Sequence, residues 1–229
     1  MLKPELLLGI DTCGPNGSVA LGRLVGPNVE ILGQTELAGR SYSSTLLGAV
    51  GELLARHSVK VSELGAIVAV NGPGSFTGVR VGLSAVKGLA EPAGIPVVAV
   101  SRLAVLAKKT QAASAALDAH RHEVFLRVSG PDADWRESLA GAAELADFNP
   151  PPAQAAVCDE DAAALIAAAW PATELVQVVG PSAADALELA VPRILAGEFA
   201  DLVLLDGHYL RRSDAEIFGE PVAAGLQPA

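Results

Sequence analysis

The sequence predicts an α/β fold in which three strands are followed by alternating helices and strands. Apolar runs separated by glycine-containing turns predict the first strands, and apolar residues at helical spacing come next. A wholly apolar run then lies between two helical segments, as expected for a buried strand. Residues 1–103 therefore predict the order β-β-β-α-β-α-β.

The three N-terminal strands predict an antiparallel meander. The first strand is apolar over Leu6–Ile10 and ends at Asp11, and the turn residues "GPNG" lead into a second strand at Ser18–Val25. The residues "GPN" precede a third strand at Val29–Leu37. Turns this short join antiparallel neighbours, because a parallel pair needs a longer crossover.

Two predicted helices flank the next strand. Residues 43–57 carry one apolar stripe at helical spacing, and the strand "LGAIVAV" follows it. A second helix is predicted over Phe76–Glu91, before a strand at Ile95–Ser101. A strand–helix–strand crossover of this kind implies parallel pairing of its two strands.

The second half of the chain is less regular. A helix-like stretch from Lys108 changes into a strand near Glu123–Val128, residues 131–152 are rich in loop signals, and two alanine-rich helices follow. We therefore expect an N-terminal lobe at residues 1–103 and a smaller lobe at residues 104–229, whose tail packs back on the first lobe.

Composition and charge argue against several classes of protein. The 229 residues include 16 basic and 26 acidic side chains, and a formal net charge of −10 has the wrong sign for direct binding of nucleic acid. No apolar run is long enough for a membrane helix or a signal peptide. Cys13 and Cys158 form no CxxC pair, so we expect two reduced thiols in a cytoplasmic protein.

The turn formed by Gly72, Pro73, Gly74 and Ser75 is the most distinctive short motif. A P-loop would need a lysine and a hydroxyl residue after its last glycine, but valine and arginine follow Gly78. The dinucleotide pattern G-x-G-x-x-G is not matched either. Free amides at a helix start still attract anions. The residues therefore leave two roles open, a weak anion site and a packing turn.

The helix after this turn is apolar around most of its circumference. Its polar stripe consists of Thr77, Arg80, Ser84, Lys87 and Glu91. At about 100° per residue the other positions cover roughly 220°, twice the stripe that an ordinary surface helix buries. Gly78, Gly82 and Gly88 together cost roughly 3 kcal/mol relative to alanine. We therefore expect two covering surfaces, the second supplied either by this chain or by a partner.

Candidates for chemistry are few. The histidines lack HxxxH and HExxH spacing, although His120 and His122 are predicted to share one face of a strand. Asp11, beside a glycine-containing hairpin, and Asp118 are candidates for a magnesium–nucleotide site, since sugar kinases place an acidic residue there. The hairpin has no lysine. Capping of strand ends and turns is the alternative role for both carboxylates.

Several segments together resemble the TsaB (YeaZ) family. In chain order they are "GIDTCGPNGSVAL", "GRSYSSTLLGAV", "VNGPGSFTGVRVGLSAVKGLA", "GIPVVAVSRL", "ALDAHRHEVF" and "YLRRSDAE". The resemblance implies an actin/Hsp70/sugar-kinase-like (ASKHA) fold, with two lobes of βββαβα-type topology and mixed sheets. Tyr42 and Gly207 stand where the family often has histidine and proline.

The resemblance also implies an accessory role, with no catalytic residue, metal or cofactor. Such proteins dimerise with TsaD, the catalytic subunit for N6-threonylcarbamoyladenosine in tRNA, and the ATPase TsaE joins the pair. Alone, the chain is expected to homodimerise, and it would contact tRNA only indirectly. The interface would use the helices at 43–57 and 76–91, with these candidate residues: Leu46, Val50, Phe76, Val79, Gly82, Leu83 and Val86.

Two enzymatic alternatives remain open. An ATP- and magnesium-dependent phosphotransferase of the same fold would use Asp11 and Asp118. A glycoprotease, an old label for relatives of this fold, would instead bind zinc.

Overall fold

The computed structural model describes residues 5–129 and 134–211. They form two five-stranded sheets with helices packed on them, which confirms the predicted α/β class. No helix in this part of the chain is both long and apolar enough to cross a membrane.

The first sheet follows the predicted order of elements. Its strands are β1 (Leu6–Asp11), β2 (Asn16–Val25), β3 (Asn28–Ala38), β4 (Ala66–Val70) and β5 (Val97–Val100). Across the sheet the order is β3-β2-β1-β4-β5. The first three strands pair antiparallel, and β1, β4 and β5 pair parallel, which confirms the meander and the crossover. Helices α1 (Tyr42–Arg56) and α2 (Phe76–Ala93) flank β4 in the chain.

The second sheet contains more strands than the sequence predicted. They are β6 (Ser114–Asp118), β7 (Val124–Ser129), β8 (Trp135–Ala140), β9 (Gln154–Val157) and β10 (Glu174–Gln177), in the order β10-β9-β6-β7-β8. The remaining helices are α3 (Arg102–Thr110), α4 (Ala142–Ala146), α5 (Glu160–Ala169) and α6 (Ala183–Ala196).

Three local predictions in this half were wrong. The helix-like stretch ends with α3, and β6 follows because its alanine-rich residues are buried between two neighbouring strands, which overrides their helix propensity. Within residues 131–152, the described part at 134–152 contains β8 and α4, so that part is not mostly loop. His120 and His122 lie in the turn between β6 and β7, with φ of 60° at both residues, and not on a strand face.

Helix α6 packs on the first sheet although it comes late in the chain. A Cβ on Gly9 of β1 would come within 2.7 Å of the Ala183 carbonyl oxygen, and Leu187 is fully buried in the same core. On the opposite face, Gly33 of β3 lies against Leu53 of α1. The first sheet is therefore covered on both faces by this chain. The division of the chain into lobes at residue 103 stays a prediction.

Two of the three glycines in α2 make room for the loop after β1. A Cβ on Gly78 would overlap the carbonyl oxygen of Thr12, and one on Gly82 would overlap the Thr12 hydroxyl. That hydroxyl donates a hydrogen bond of 2.7 Å to the Gly78 carbonyl oxygen. Gly88 is exposed, and a Cβ there would meet nothing within 4 Å. Gly78 and Gly82 are thus explained by packing inside the chain.

These surroundings predict opposite effects for the same substitution. Gly78→Ala should lower the free energy of unfolding by about 2 kcal/mol, because the new methyl group has no space against a backbone oxygen. Gly88→Ala should raise it by about 0.5–1 kcal/mol, because alanine is the better helix former and the site is open. Urea unfolding of both variants checks this, and a stabilised Gly78→Ala would contradict the packing described.

Candidate functional site

The turn at Gly72–Ser75 packs against the loop that follows β1. The Ser75 amide donates a hydrogen bond of 2.8 Å to the Cys13 carbonyl oxygen, and Gly74 leaves no room there for a Cβ. Ser75 also caps α2, since its hydroxyl accepts from the Gly78 amide at 3.2 Å and its carbonyl oxygen accepts from the Val79 amide at 2.9 Å. Because these amides are already used, the contacts support a packing role and not a phosphate cradle.

A cleft of about 1240 Å³ opens beside this turn, between the two sheets. The lining from the first sheet and its helices includes Cys13, Gly14 and Gly74. The lining from the second half of the chain includes Asp118, Cys158 and Gly180. The cleft is somewhat larger than a typical small-molecule pocket, so its charged groups decide what it accepts.

Asp11 lies beneath this cleft and is paired with an arginine. The Asp11 carboxylate is fully buried, with Oδ1 accepting the Cys13 amide at 2.8 Å and Oδ2 lying 3.6 Å from Nε of Arg102. Burial lowers the pKa of Arg102, but the Asp11 carboxylate and the neighbouring thiols outweigh burial and raise it overall. Both oxygens of Asp11 therefore face groups of the chain, and a fixed positive charge stands beside them.

Asp118 also has partners of its own. Its Oδ1 accepts the His120 amide at 2.7 Å, and its Oδ2 lies 2.6 Å from Nδ1 of His120. Among the described residues no group of three or more His, Cys, Asp or Glu side chains has a geometry that could hold a metal ion. With Asp11 held by Arg102, these residues do not fit the magnesium–nucleotide site considered from the sequence.

The two thiols near the cleft floor are poor nucleophiles. Burial raises the pKa of Cys13 well above its usual value, and the Asp11 carboxylate adds to the effect. Burial likewise raises the pKa of Cys158 to about 11. Because the thiolate is the reactive form, both cysteines remain largely unreactive thiols at neutral pH. This argues against cysteine chemistry in the cleft.

An intersheet cluster of Ser101, Arg127, Glu137 and His208 ties β8 to the first sheet. The buried Glu137 carboxylate accepts from the Ser101 hydroxyl at 2.7 Å and lies 2.8 Å from Nε2 of His208. Arg127 of β7 forms a third contact with it at 2.5 Å. Burial raises the pKa of Glu137, but the hydrogen bonds from His208, Ser101 and Arg127 outweigh burial and lower it overall.

Residues 201–211, the returning segment, connect this cluster to the turn before α2. The His208 amide donates to the Asn71 carbonyl oxygen at 2.7 Å. The ring of Tyr209 lies 4.9 Å from that of Phe76, over which the Arg80 guanidinium stacks at 3.7 Å. The predicted tail beyond residue 211 lies outside the described residues.

The sequence-predicted interface residues require a correction. Of the seven, only Phe76 is partly exposed. The other six are buried in the core of this chain: Leu46, Val50, Val79, Gly82, Leu83 and Val86. Hydrophobic spacing identifies the apolar side of a helix, but that side faces the chain's own sheet. A charged residue at Val86 would therefore test the fold and not an interface.

The outer sides of α1 and α2 nevertheless carry a group of small and apolar residues. We define the α1–α2 surface as Leu47, Gly48, Gly51, Ala55, Val81, Ala85, Gly88 and Leu89, which are all exposed or half-buried. Leu47 is 59% exposed. A Cβ built at Gly48, Gly51 or Gly88 would meet nothing within 4 Å. The sequence analysis missed the residues of this surface that belong to α1. The two glycines inside that helix, Gly48 and Gly51, could have indicated them.

Comparison with known proteins identifies the family of this chain. A family model described as TsaD, tRNA N6-adenosine threonylcarbamoyltransferase, matches residues 33–144. Proteins named tRNA threonylcarbamoyladenosine biosynthesis protein TsaB match over 125 residues, with 36% identity in Haemophilus influenzae and 34% in Escherichia coli K12. The solved structure of YeaZ from Pseudomonas aeruginosa is 28% identical, with a TM-score of 0.71 over 90% of this chain and 100% of that one. The chain belongs to the TsaB/YeaZ family.

The extent of these matches differs. The alignments with the two TsaB proteins cover 52% of this chain. The chain spans about half the length of these TsaB relatives. A second Pseudomonas structure, titled as similar to peptidase YEAZ, is 29% identical with a TM-score of 0.74. An uncharacterised protein of Mycobacterium tuberculosis is 30% identical over 92% of this chain and 93% of its own length. The ASKHA-like fold and the family resemblance are thus confirmed.

The lowered pKa of Glu137 predicts a pH dependence of stability. The contribution of the Glu137 carboxylate to the free energy of unfolding should be complete above the usual glutamate pKa of 4.5. It should be lost as the pH falls through the lower pKa of the folded protein. Glu137→Gln should therefore cost about 2 kcal/mol at pH 7 and progressively less below pH 4.5. Denaturant unfolding between pH 7 and pH 3 measures the difference.

The exposed pair Arg193–Glu198, at 3.8 Å, offers a matched control. Glu198→Gln should change stability by less than about 0.5 kcal/mol at every pH, because exposed ion pairs contribute little. A Glu137→Gln penalty that stays constant down to pH 3 would contradict the role given to the intersheet cluster.

Proposed function

We propose that this chain is a non-catalytic subunit for synthesis of N6-threonylcarbamoyladenosine in tRNA, and that it binds TsaD through the α1–α2 surface. The observation that carries the proposal is this surface itself, on a chain of the TsaB/YeaZ family. An interior helical glycine costs about 1 kcal/mol relative to alanine. Gly48, Gly51 and Gly88 bear that cost where the described part of the chain packs nothing against them.

Close approach of another helix explains such glycines. Side chains at a helix contact set the distance between the axes, so small residues allow the backbones to approach. Leu47 would then supply an apolar anchor on an otherwise small-residue surface. The match of residues 33–144 to a TsaD family model supports a partner of related fold, because related surfaces form pseudo-symmetric pairs.

The other partners follow from the same proposal. Without TsaD, a second copy of the chain would cover the α1–α2 surface, and TsaE would bind the assembled pair. The net charge of −10 favours tRNA contacts made by TsaD rather than by this chain. A role in tRNA modification also places the protein in the cytoplasm.

The enzymatic alternatives receive less support. A phosphotransferase would need the Asp11 carboxylate for magnesium, and that carboxylate is paired with Arg102. A zinc-dependent glycoprotease would need a set of metal ligands, and the described residues contain no such cluster. The buried pair at Asp11 therefore favours an accessory role.

Leu47→Asp is expected to weaken binding to TsaD by about thirtyfold, the effect of losing one interface anchor. The variant should fold normally because this side chain is 59% exposed. Isothermal titration calorimetry with purified TsaD measures the affinity, and light scattering reports whether the homodimer is lost as well.

Val25→Asp is the matched control, since Val25 is 54% exposed at the end of β2, outside the α1–α2 surface. It should change the affinity for TsaD by less than about twofold. If Leu47→Asp binds TsaD as tightly as the unmodified chain does, the proposed surface is wrong.

Magnesium offers a second test of the accessory role. Adding magnesium should not strengthen the binding of ATP to the isolated chain, because the Arg102 charge disfavours a cation beside Asp11. Calorimetry with and without magnesium measures this. A magnesium-dependent affinity that disappears in Asp11→Asn would revive the phosphotransferase alternative.

A further inference from the structure

Arg102 is a buried arginine whose hydrogen-bonding capacity is largely unused. The residue is 7% exposed, and its Nε has no hydrogen-bond partner within residues 5–129 and 134–211. The Asp11 carboxylate lies 3.6 Å away, beyond hydrogen-bond distance. A guanidinium carries five N–H donors, and a buried donor without a partner is costly. Because Nε faces Asp11, the Nη donors are the ones that an additional acceptor could reach.

Two glycines make room for the end of this side chain. A Cβ on Gly14 would overlap Nη2 of Arg102, and one on Gly180 would come within 3.6 Å of the same atom. Gly14 follows β1, whereas Gly180 precedes α6, so the guanidinium lies between loops from the two halves of the chain. All three residues line the cleft. The donors of Arg102 thus stand at the floor of a ligand-sized space.

The acidic groups of the cleft are already engaged, in contrast to Arg102. Asp159 accepts the Ala162 amide at 2.8 Å and the Asp118 amide at 3.1 Å, as a helix cap. Asp118 is held by His120. Lys109, at the cleft wall, pairs with Asp185 at 2.8 Å. Arg102 is therefore the charged residue of the lining with the fewest hydrogen bonds among the described residues, and it is a cation.

We propose that the cleft binds a small organic anion, whose carboxylate or phosphate group accepts hydrogen bonds from the Nη atoms of Arg102 between Gly14 and Gly180. A planar guanidinium suits a bidentate contact with either oxyanion. Asp11 stays on the Nε side of the same guanidinium, so one arginine bridges a fixed carboxylate and a ligand. Apolar side chains such as Leu117 and Phe125 line the cleft for the organic part. This inference is independent of the proposed partnership with TsaD.

Calorimetry with inorganic phosphate and with succinate, at low ionic strength and up to about 20 mM, tests the site on the full chain. We expect saturable binding of at least one probe. Binding of phosphate alone identifies the ligand group as a phosphate, and binding of succinate alone identifies it as a carboxylate. If neither probe binds the folded protein, the proposal is overturned.

Substitutions at the ion pair give effects of opposite sign. Asp11→Asn should strengthen probe binding by about tenfold, because it removes the like charge beside the guanidinium. Adding Arg102→Gln to that variant should weaken binding by about tenfold or more relative to the unmodified chain, since the charged donors are lost. Arg23→Gln removes the same charge from an exposed side chain on β2 and should change the affinity by less than about twofold.

Thermal unfolding keeps the test decisive if the double variant does not fold. Asp11→Asn leaves the Arg102 charge buried without its carboxylate, so its unfolding temperature should fall in plain buffer. The binding probe should raise that temperature more in Asp11→Asn than in the unmodified chain. Equal shifts in both proteins, or binding that survives Arg102→Gln, would overturn the assignment to Arg102.

Discussion

The close packing of the loop after β1 against α2 is the constraint on which the rest of the structure depends. Thr12 and Cys13 approach the helix and its preceding turn so closely that Gly78 and Gly82 have no room for a side chain. Only one rotation of α2 about its axis places both glycines on Thr12. That rotation determines which residues of α2 face solvent, and it brings the turn beside Arg102, whose amide donates to the Gly72 carbonyl oxygen at 2.6 Å.

One buried ionic group lies at the edge of the first sheet, and a second connects the two sheets. Arg102 stands at the start of α3, where the chain leaves the first sheet, and Glu137 of β8 contacts Ser101 immediately before it. Buried ion pairs add little net stability, but they penalise arrangements that separate their members. The Glu137 cluster therefore favours one orientation of the sheets, and with it the shape of the cleft, whereas the Asp11–Arg102 pair holds together the loops after β1 and β5.

The α1–α2 surface has a different physical character from the cleft. Its glycines Gly48, Gly51 and Gly88 weaken the helices that contain them, and no group of the described chain packs on them. A subunit of a complex typically has a core packed by its own chain and also a surface of small residues against which its own chain packs nothing. Membership of the family adds to this picture. The cleft, with a fixed guanidinium at its floor, is suited to a ligand that partner binding does not require.

The sequence by itself determined the order of elements in the first sheet, the turn at Gly72–Ser75 and the family, because these depend on local spacing and on short motifs. It did not determine the strand β6, since alanine-rich segments favour helices until burial is known. Nor did it show that Gly78 and Gly82 are packed against the chain whereas Gly88 is open. Helical spacing tells on which side of the helix a residue lies, but not which group packs against that side. The pairing of Asp11 with Arg102, 91 positions apart in the chain, was decided only by the tertiary structure, since β1, β4 and β5 must pair in one sheet before those charges meet.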